Sequence, residues 1–266
     1  MIEIDEFDSW LTDFENHLEP VLTETTIKRL ADAQFKFIDD PGRLVANAIG
    51  KPKLAEALRQ WLLDRTIKVF HATRLLPSEL ESLSQNGLVP LEVSARRNRL
   101  EELLSKHPEW DDKKFKFNWL LNEEKKGTTF GNRSGQVHFS LSKATNQSVL
   151  PHYLEFGSEF DQRIASTLFP DGSWKELFKI NTQPHIVHVG LNGAELICGC
   201  CPFHSFQDQI ERGDLPEPAR IFVNLWAAKK AELLETADEF DKDVCLIFET
   251  AFQGDRILQI EISPNK

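Results

Sequence analysis

At Thr66 the hydrophobic period of the chain changes from that of a helix to that of a strand, and this change bounds what the chain can fold into. Upstream, Phe7, Trp10, Leu11 and Phe14 recur at helical spacing, and Leu54, Leu58, Trp61 and Leu62 do so again. Turns at Asp40-Pro41-Gly42 and Gly50-Lys51-Pro52 punctuate these helices without forming a flexible linker. From Thr66 to His71 β-branched and apolar residues alternate, as a strand requires. The reading is a small all-helical module over residues 1–65, followed by a second domain over 66–266.

The second region alternates both kinds of element. Pro77-Ser78-Glu79-Leu80 opens a short helix and Asn86-Gly87 closes it. Ser94 to His107 forms a basic amphipathic helix with Leu100, Leu103 and Leu104 on one side, its exposed side available to a substrate. Trp110 to Lys126 is rich in lysine, aspartate and aromatic residues, and Gly127 to Gly131 reads as a mobile loop, a candidate flap. Strands are expected at Gln136–Leu141, His185–Val189, Val244–Phe248 and Ile257–Ile262, the last two as a hairpin. Helices are expected from Gly157 to Leu168 and from about Ala219 to Leu234. No repeat or low-complexity tract interrupts this order, so the class is α+β.

Charge narrows the partners. A net charge of -11 repels phosphate chains unless basic residues gather on one face. The basic runs Arg96-Arg97-Asn98-Arg99 and Lys113-Lys114-Phe115-Lys116 read first as solvated helix faces, the alternative being a single patch that grips an RNA or an acidic partner. The acidic start Met1-Ile2-Glu3-Ile4-Asp5-Glu6 lacks the features of a secretory signal, and no apolar run approaches the roughly 20 residues that span a bilayer, so a cytoplasmic protein without a membrane partner is expected. Cys198, Cys200 and Cys201 crowd near His204, yet a structural zinc site draws on two separated pairs of ligands, and Cys245 is the only other cysteine. Reduced thiols packed in a turn explain the cluster, and no metal is expected.

The candidate chemistry begins at His71-Ala72-Thr73-Arg74, where imidazole, hydroxyl and guanidinium stand at the end of a strand. Histidine and threonine hydrogen-bond sugar hydroxyls and arginine forks onto pyrophosphate, although an edge strand with incidental polar residues reads the same. Downstream comes Gly135-Gln136-Val137-His138-Phe139-Ser140, then Ser142-Lys143-Ala144. This sequence of a His-x-Thr strand, a helix, Asn-Gly-Leu and a Phe-Ser strand running into Ser-Lys resembles the poly-ADP-ribose polymerase branch of the ADP-ribosyltransferase superfamily, over residues 66–168.

The resemblance implies a split β-sheet domain that binds NAD as substrate. It places His71 at the nicotinamide-side ribose, with Ala72, Thr73 and Arg74 beside it, and His138 against the nicotinamide ring, with Phe139 and Ser140 in the same strand. Histidine replaces the tyrosine common at that second position and is similar to the branch that includes RNA 2'-phosphotransferases. Tyr153 matches a second stacking tyrosine, though it is equally an amphipathic core residue. The family's late-strand glutamate has no clean counterpart: Asp243 is a short substitute, and Glu159 is either the catalytic acid or a helix-dipole partner. The implied activity is mono-ADP-ribosylation of a protein or of RNA or DNA, as in bacterial and phage-conflict toxins and antiviral defence. The helical module would then recognise a target, or an antitoxin or other regulator. An NAD glycohydrolase, an RNA 2'-phosphotransferase-like enzyme and a non-catalytic binding module on the same fold remain as alternatives.

Overall fold

The computed structural model describes residues 1–125, 134–200, 205, 207–208, 211, 215–237 and 244–264. In chain order its elements are α1 (Leu11–Leu18), α2 (Glu24–Asp32), α3 (Asp40–Ile49), α4 (Lys51–Leu63), β1 (Thr66–Leu75), α5 (Pro77–Asn86), α6 (Val93–Leu104), α7 (Trp110–Lys125) and β2 (Val137–Ser140). There follow α8 (Lys143–Ser148), α9 (His152–Phe156), α10 (Glu159–Leu168), α11 (Trp174–Asn181), β3 (Gln183–Asn192), α12 (Gly193–Cys200), α13 (Glu217–Lys230), β4 (Cys245–Phe248) and β5 (Ile257–Ile262). The class is α+β, as expected, with one open five-stranded antiparallel sheet in the order β4-β2-β1-β3-β5. Among the described residues no helix is long and apolar enough to cross a membrane.

The chain divides into two compact units. The first comprises Met1–Val69, Ser140–Thr145 and Gly190–Ile247, and the second Phe70–Phe139, Asn146–Val189 and Phe248–Lys266. In the first, α13 is the central helix. Ile221, Phe222, Val223, Leu225 and Trp226 are all buried, so its apolar surface runs right round the helix, the pattern of a helix enclosed by others. Trp10 and Trp61 close on its Phe222 edge to face at 4.9 and 5.0 Å, and Phe14 of α1 stands edge to face with Trp61 at 4.8 Å. Such ring pairs add about 0.5–1.5 kcal/mol each beyond the area they bury.

The chain start is tied into the same unit. Ile2 bridges Ile67 in parallel, and Lys68 pairs with Glu3 at 2.5 Å. Asp5 accepts hydrogen bonds from the Ser142 hydroxyl at 2.6 Å and from the Lys143 and Ala144 amides at 2.7 and 3.2 Å. A carboxylate distant in sequence thus caps α8, whose first amides have no partner within the helix. Within the polar stretch from Ser142 to Gln147, the residues from Lys143 on are helical.

In the second unit, α6, α7, α10 and α11 enclose a core that includes Leu100, Leu104, Phe117, Ile164, Phe169 and Phe178. The helix α5 begins with Pro77 at its first position, and the Glu79 carboxylate accepts from the Leu76 amide at 2.8 Å. It ends at Gly87, whose φ of 77° is the left-handed conformation that glycine adopts without a Cβ penalty.

The stretch Trp110–Lys125, to which its composition assigns no element, is a helix; Phe115 and Trp119 point outward, 85% and 54% exposed, and spoil the apolar stripe. Two expectations need correction. The last two strands form no hairpin: β4 pairs with β2, while β5 pairs with β3 in the register His185 to Ile262 and Val187 to Ile260. Between them Phe252 forms an isolated bridge with Leu88 instead of a tight turn. Finally, Cys198 and Cys200 lie on α12, not in a turn, and the Cys200 thiol donates to the Ile197 carbonyl. Burial and the Glu195 carboxylate raise the Cys198 thiol above its ordinary range. Cys201, His204, Asp243 and the loop from Gly127 to Gly131 lie outside the described residues.

Candidate functional site

The strand β1 carries His71 partly exposed, with buried Ala72, Thr73 and Arg74 after it. The His71 Nδ1 lies 2.8 Å from the backbone oxygen of His138 on β2. A carbonyl oxygen only accepts, so Nδ1 carries the proton, and in the neutral ring Nε2 is left with a lone pair. Burial holds the imidazole below the ordinary histidine range, with the Arg96 charge pushing the same way against the carbonyl contact. The ring is therefore neutral at pH 7, with Nε2 ready to accept a proton or a hydroxyl hydrogen.

His138 meets His71 through its backbone, while its own Nε2 is 3.2 Å from the Gln136 side-chain oxygen. The buried Phe139 ring stands 6.0 Å from the His71 ring, nearly perpendicular, and 4.9 Å from Phe252. These contacts fix the His71 ring plane. Ser140 is buried in the first unit, and its hydroxyl has no hydrogen-bond partner among the described residues.

Tyr153 and Glu159 come together. The Tyr153 hydroxyl donates to Glu159 Oε1 at 2.8 Å, and His152 Nε2 approaches the same oxygen at 3.7 Å. The geometry follows from Gly157, whose φ of 81° turns the chain sharply between α9 and α10. A Cβ at Gly157 would sit 3.5 Å from the Arg99 guanidinium and 3.7 Å from Arg74 Cβ, so this turn lies against the end of β1. Ser158 then caps α10 by accepting from the Asp161 amide at 3.2 Å. Glu159 stands in the first turn of that helix, as a dipole partner would, but its carboxylate also holds a tyrosine.

Arg74 is placed differently from what a pyrophosphate contact requires. Its Nε donates to Thr182 Oγ1 at 2.8 Å, Nη1 to the Leu154 carbonyl at 2.9 Å, and Nη2 to the Lys179 and Thr182 carbonyls at 3.0 and 2.5 Å. The guanidinium gathers the carboxyl-terminal carbonyls of α9 and α11, groups that otherwise lack donors. A cleft of about 250 Å³ borders it, walled by Pro151, Leu154, Pro184 and Pro264, with Glu155 and Lys179 beside them. None of His71, His138, Tyr153 and Glu159 lines that cleft.

The residues that sequence reasoning missed are those around Asp161. This carboxylate is fully buried and accepts from Arg96 Nε at 3.0 Å, from Arg96 Nη2, and from Arg99 Nε at 2.8 Å. Arg99 also pairs with Glu79 and donates to the Arg74 carbonyl at 2.9 Å, while Arg96 reaches the Ser158 hydroxyl at 3.1 Å. The basic run on α6 is therefore no solvated face: Arg99 is 3% exposed and part of a buried network. A detectable signal was the three-residue spacing of Arg96 and Arg99, which puts two cations on one helix face that also borders buried leucines.

Network and site adjoin. Ser158, which Arg96 holds, precedes Glu159, and Arg99 donates to the carbonyl of Arg74, three residues beyond His71 on β1. Comparison with protein-family models, with curated proteins and with solved structures returns no match for this chain.

Proposed function

We propose that this chain is an NAD-consuming ADP-ribosyltransferase whose sheet is the split sheet of that superfamily. The observation that carries the reading is the neutral His71, with Nδ1 tied to a carbonyl and Nε2 left as an acceptor at a partly exposed position. That atom suits a ribose hydroxyl. Transfer breaks the bond between nicotinamide and the ribose anomeric carbon, the electron pair leaving with nicotinamide, while an acceptor nucleophile forms the new bond. Positive charge builds on the sugar, and a fixed carboxylate stabilises it. Glu159, oriented by the Tyr153 hydroxyl, is the carboxylate assigned here and takes the acceptor's proton.

His138 belongs to the same reading through the backbone oxygen that sets the His71 tautomer, with its ring against nicotinamide. The acceptor is a protein or a nucleic acid, and the setting is a toxin or defence effector in the cytoplasm. NAD labelled in its adenylate half, incubated with the protein and a cell extract, tests this. Label is expected on a macromolecule, lost in His71→Ala and at least 100-fold reduced in Glu159→Gln, about the worth of one positioned acid–base group. Free ADP-ribose as the only product would make the protein a glycohydrolase. Absence of any NAD turnover would remove the enzymatic reading and leave a binding module.

A further inference from the structure

We propose that Arg96, not Arg74, grips the phosphates of the dinucleotide, an assignment that rests on the NAD reading above. The three arginines of this region differ in what their donors already hold. Arg74 spends its guanidinium on three backbone carbonyls and the Thr182 hydroxyl, and its side chain is buried. Arg99 directs Nε at Asp161, Nη1 at Glu79 and Nη2 at the Arg74 carbonyl, with 2% of its side chain exposed.

Arg96 alone of the three keeps a weakly used edge. Its Nε and Nη2 are fixed by Asp161 and Ser158, whereas Nη1 has one contact among the described residues, Glu79 Oε1 at 3.5 Å, beyond good hydrogen-bond length. Its side chain is also the most exposed, at 17%. The result is a partly exposed cation whose orientation is already fixed and whose Nη1 keeps only a long contact among the described residues, so a phosphate oxygen binds it with little further ordering cost. Its neighbours agree with that role. Arg99, one turn on in α6, donates to the Arg74 carbonyl three residues beyond His71 on β1, and Arg96 itself holds Ser158, the residue before Glu159, whose carboxylate accepts from Tyr153. A ligand with its ribose at His71 is placed by this proposal with its phosphates on Arg96, the one of the three arginines that combines fixed orientation with exposure.

Calorimetric titration with NAD, nicotinamide mononucleotide and nicotinamide riboside tests the assignment, since the three share the nicotinamide ribose and differ in phosphate. In Arg96→Gln, NAD and the mononucleotide should bind about 10- to 100-fold more weakly, the worth of one or two charge-assisted hydrogen bonds. Riboside affinity should stay as in the unsubstituted protein. Glu79→Gln, which removes the competing charge, should tighten NAD and leave the riboside unchanged. Equal loss for all three ligands in Arg96→Gln, or unchanged NAD affinity, overturns the role of Arg96 while the NAD reading stands. If the unsubstituted protein binds none of the three, the NAD reading fails and this assignment with it.

Discussion

Replacing Asp161 by asparagine isolates the electrostatic part of the second unit's architecture, because shape is kept and one negative charge is removed. Asp161 is fully buried and accepts three hydrogen bonds from two arginines, one of which, Arg99, is itself buried. An asparagine turns an N–H group towards a guanidinium and leaves the two cations with Glu79 as their one carboxylate partner among the described residues. Removing one partner of a buried ion pair costs about 3–5 kcal/mol, mostly as the penalty for the uncompensated charge left behind. With a urea m-value of about 3 kcal/mol/M, the unfolding midpoint should fall by roughly 1 M or more. The assay is equilibrium urea unfolding followed by tryptophan fluorescence, helped by Trp110 and Trp174 in the adjoining core. A second measurement checks the cause. Asp161→Leu combined with Arg99→Met should be more stable than Asp161→Leu alone, since both charges of one pair are then absent. A loss below about 1 kcal/mol in Asp161→Asn, or no recovery in the double variant, would refute the argument that the buried charges depend on one another.

Two further outcomes are expected. Since the folded state holds the His71 imidazole below its ordinary pKa of 6.5, the unfolded chain takes up a proton there first as pH falls. Stability should drop below about pH 6.5 with a contribution of at most about 1.4 kcal/mol per pH unit, and none above it. Thermal melts of the unsubstituted protein and His71→Gln between pH 5 and 8 check this, an unchanged slope in the variant being the contrary result. Gly87 and Gly135 share a φ of 77°, but a Cβ on Gly87 would collide with the backbone of Phe252 and Gln253, whereas Gly135 has open space around it. Gly135→Ala should cost about 1 kcal/mol, the ordinary left-handed penalty, and Gly87→Ala clearly more, by urea midpoint; equal costs would contradict the close approach.

Much of the local structure was legible in the residues themselves. The change of period at Thr66 is the start of β1, Pro77 and Asn86 bound α5, and Ile257–Ile262 is β5 as its alternation required. These features depend on neighbours within a few positions: a fixed proline φ, a glycine past a helix end, apolar residues at period two or 3.6. The approach of Tyr153 to Glu159, six residues apart across a glycine turn, is nearly local as well.

What tertiary structure decided is pairing across distance. The sequence offers His71, Arg74, Arg96 and Arg99 as similar polar groups, and only packing tells them apart. Arg74 becomes the donor for the ends of two helices, Arg99 the buried partner of Asp161, and Arg96 the more exposed partner whose Nη1 makes a long contact. Likewise nothing local sends β4 and β5 to opposite edges of the sheet, or brings Asp5 to the start of α8. A side chain's charge and donors are set by its chemistry, but whether they are spent on the protein or left for a ligand depends on which distant groups the fold places beside them.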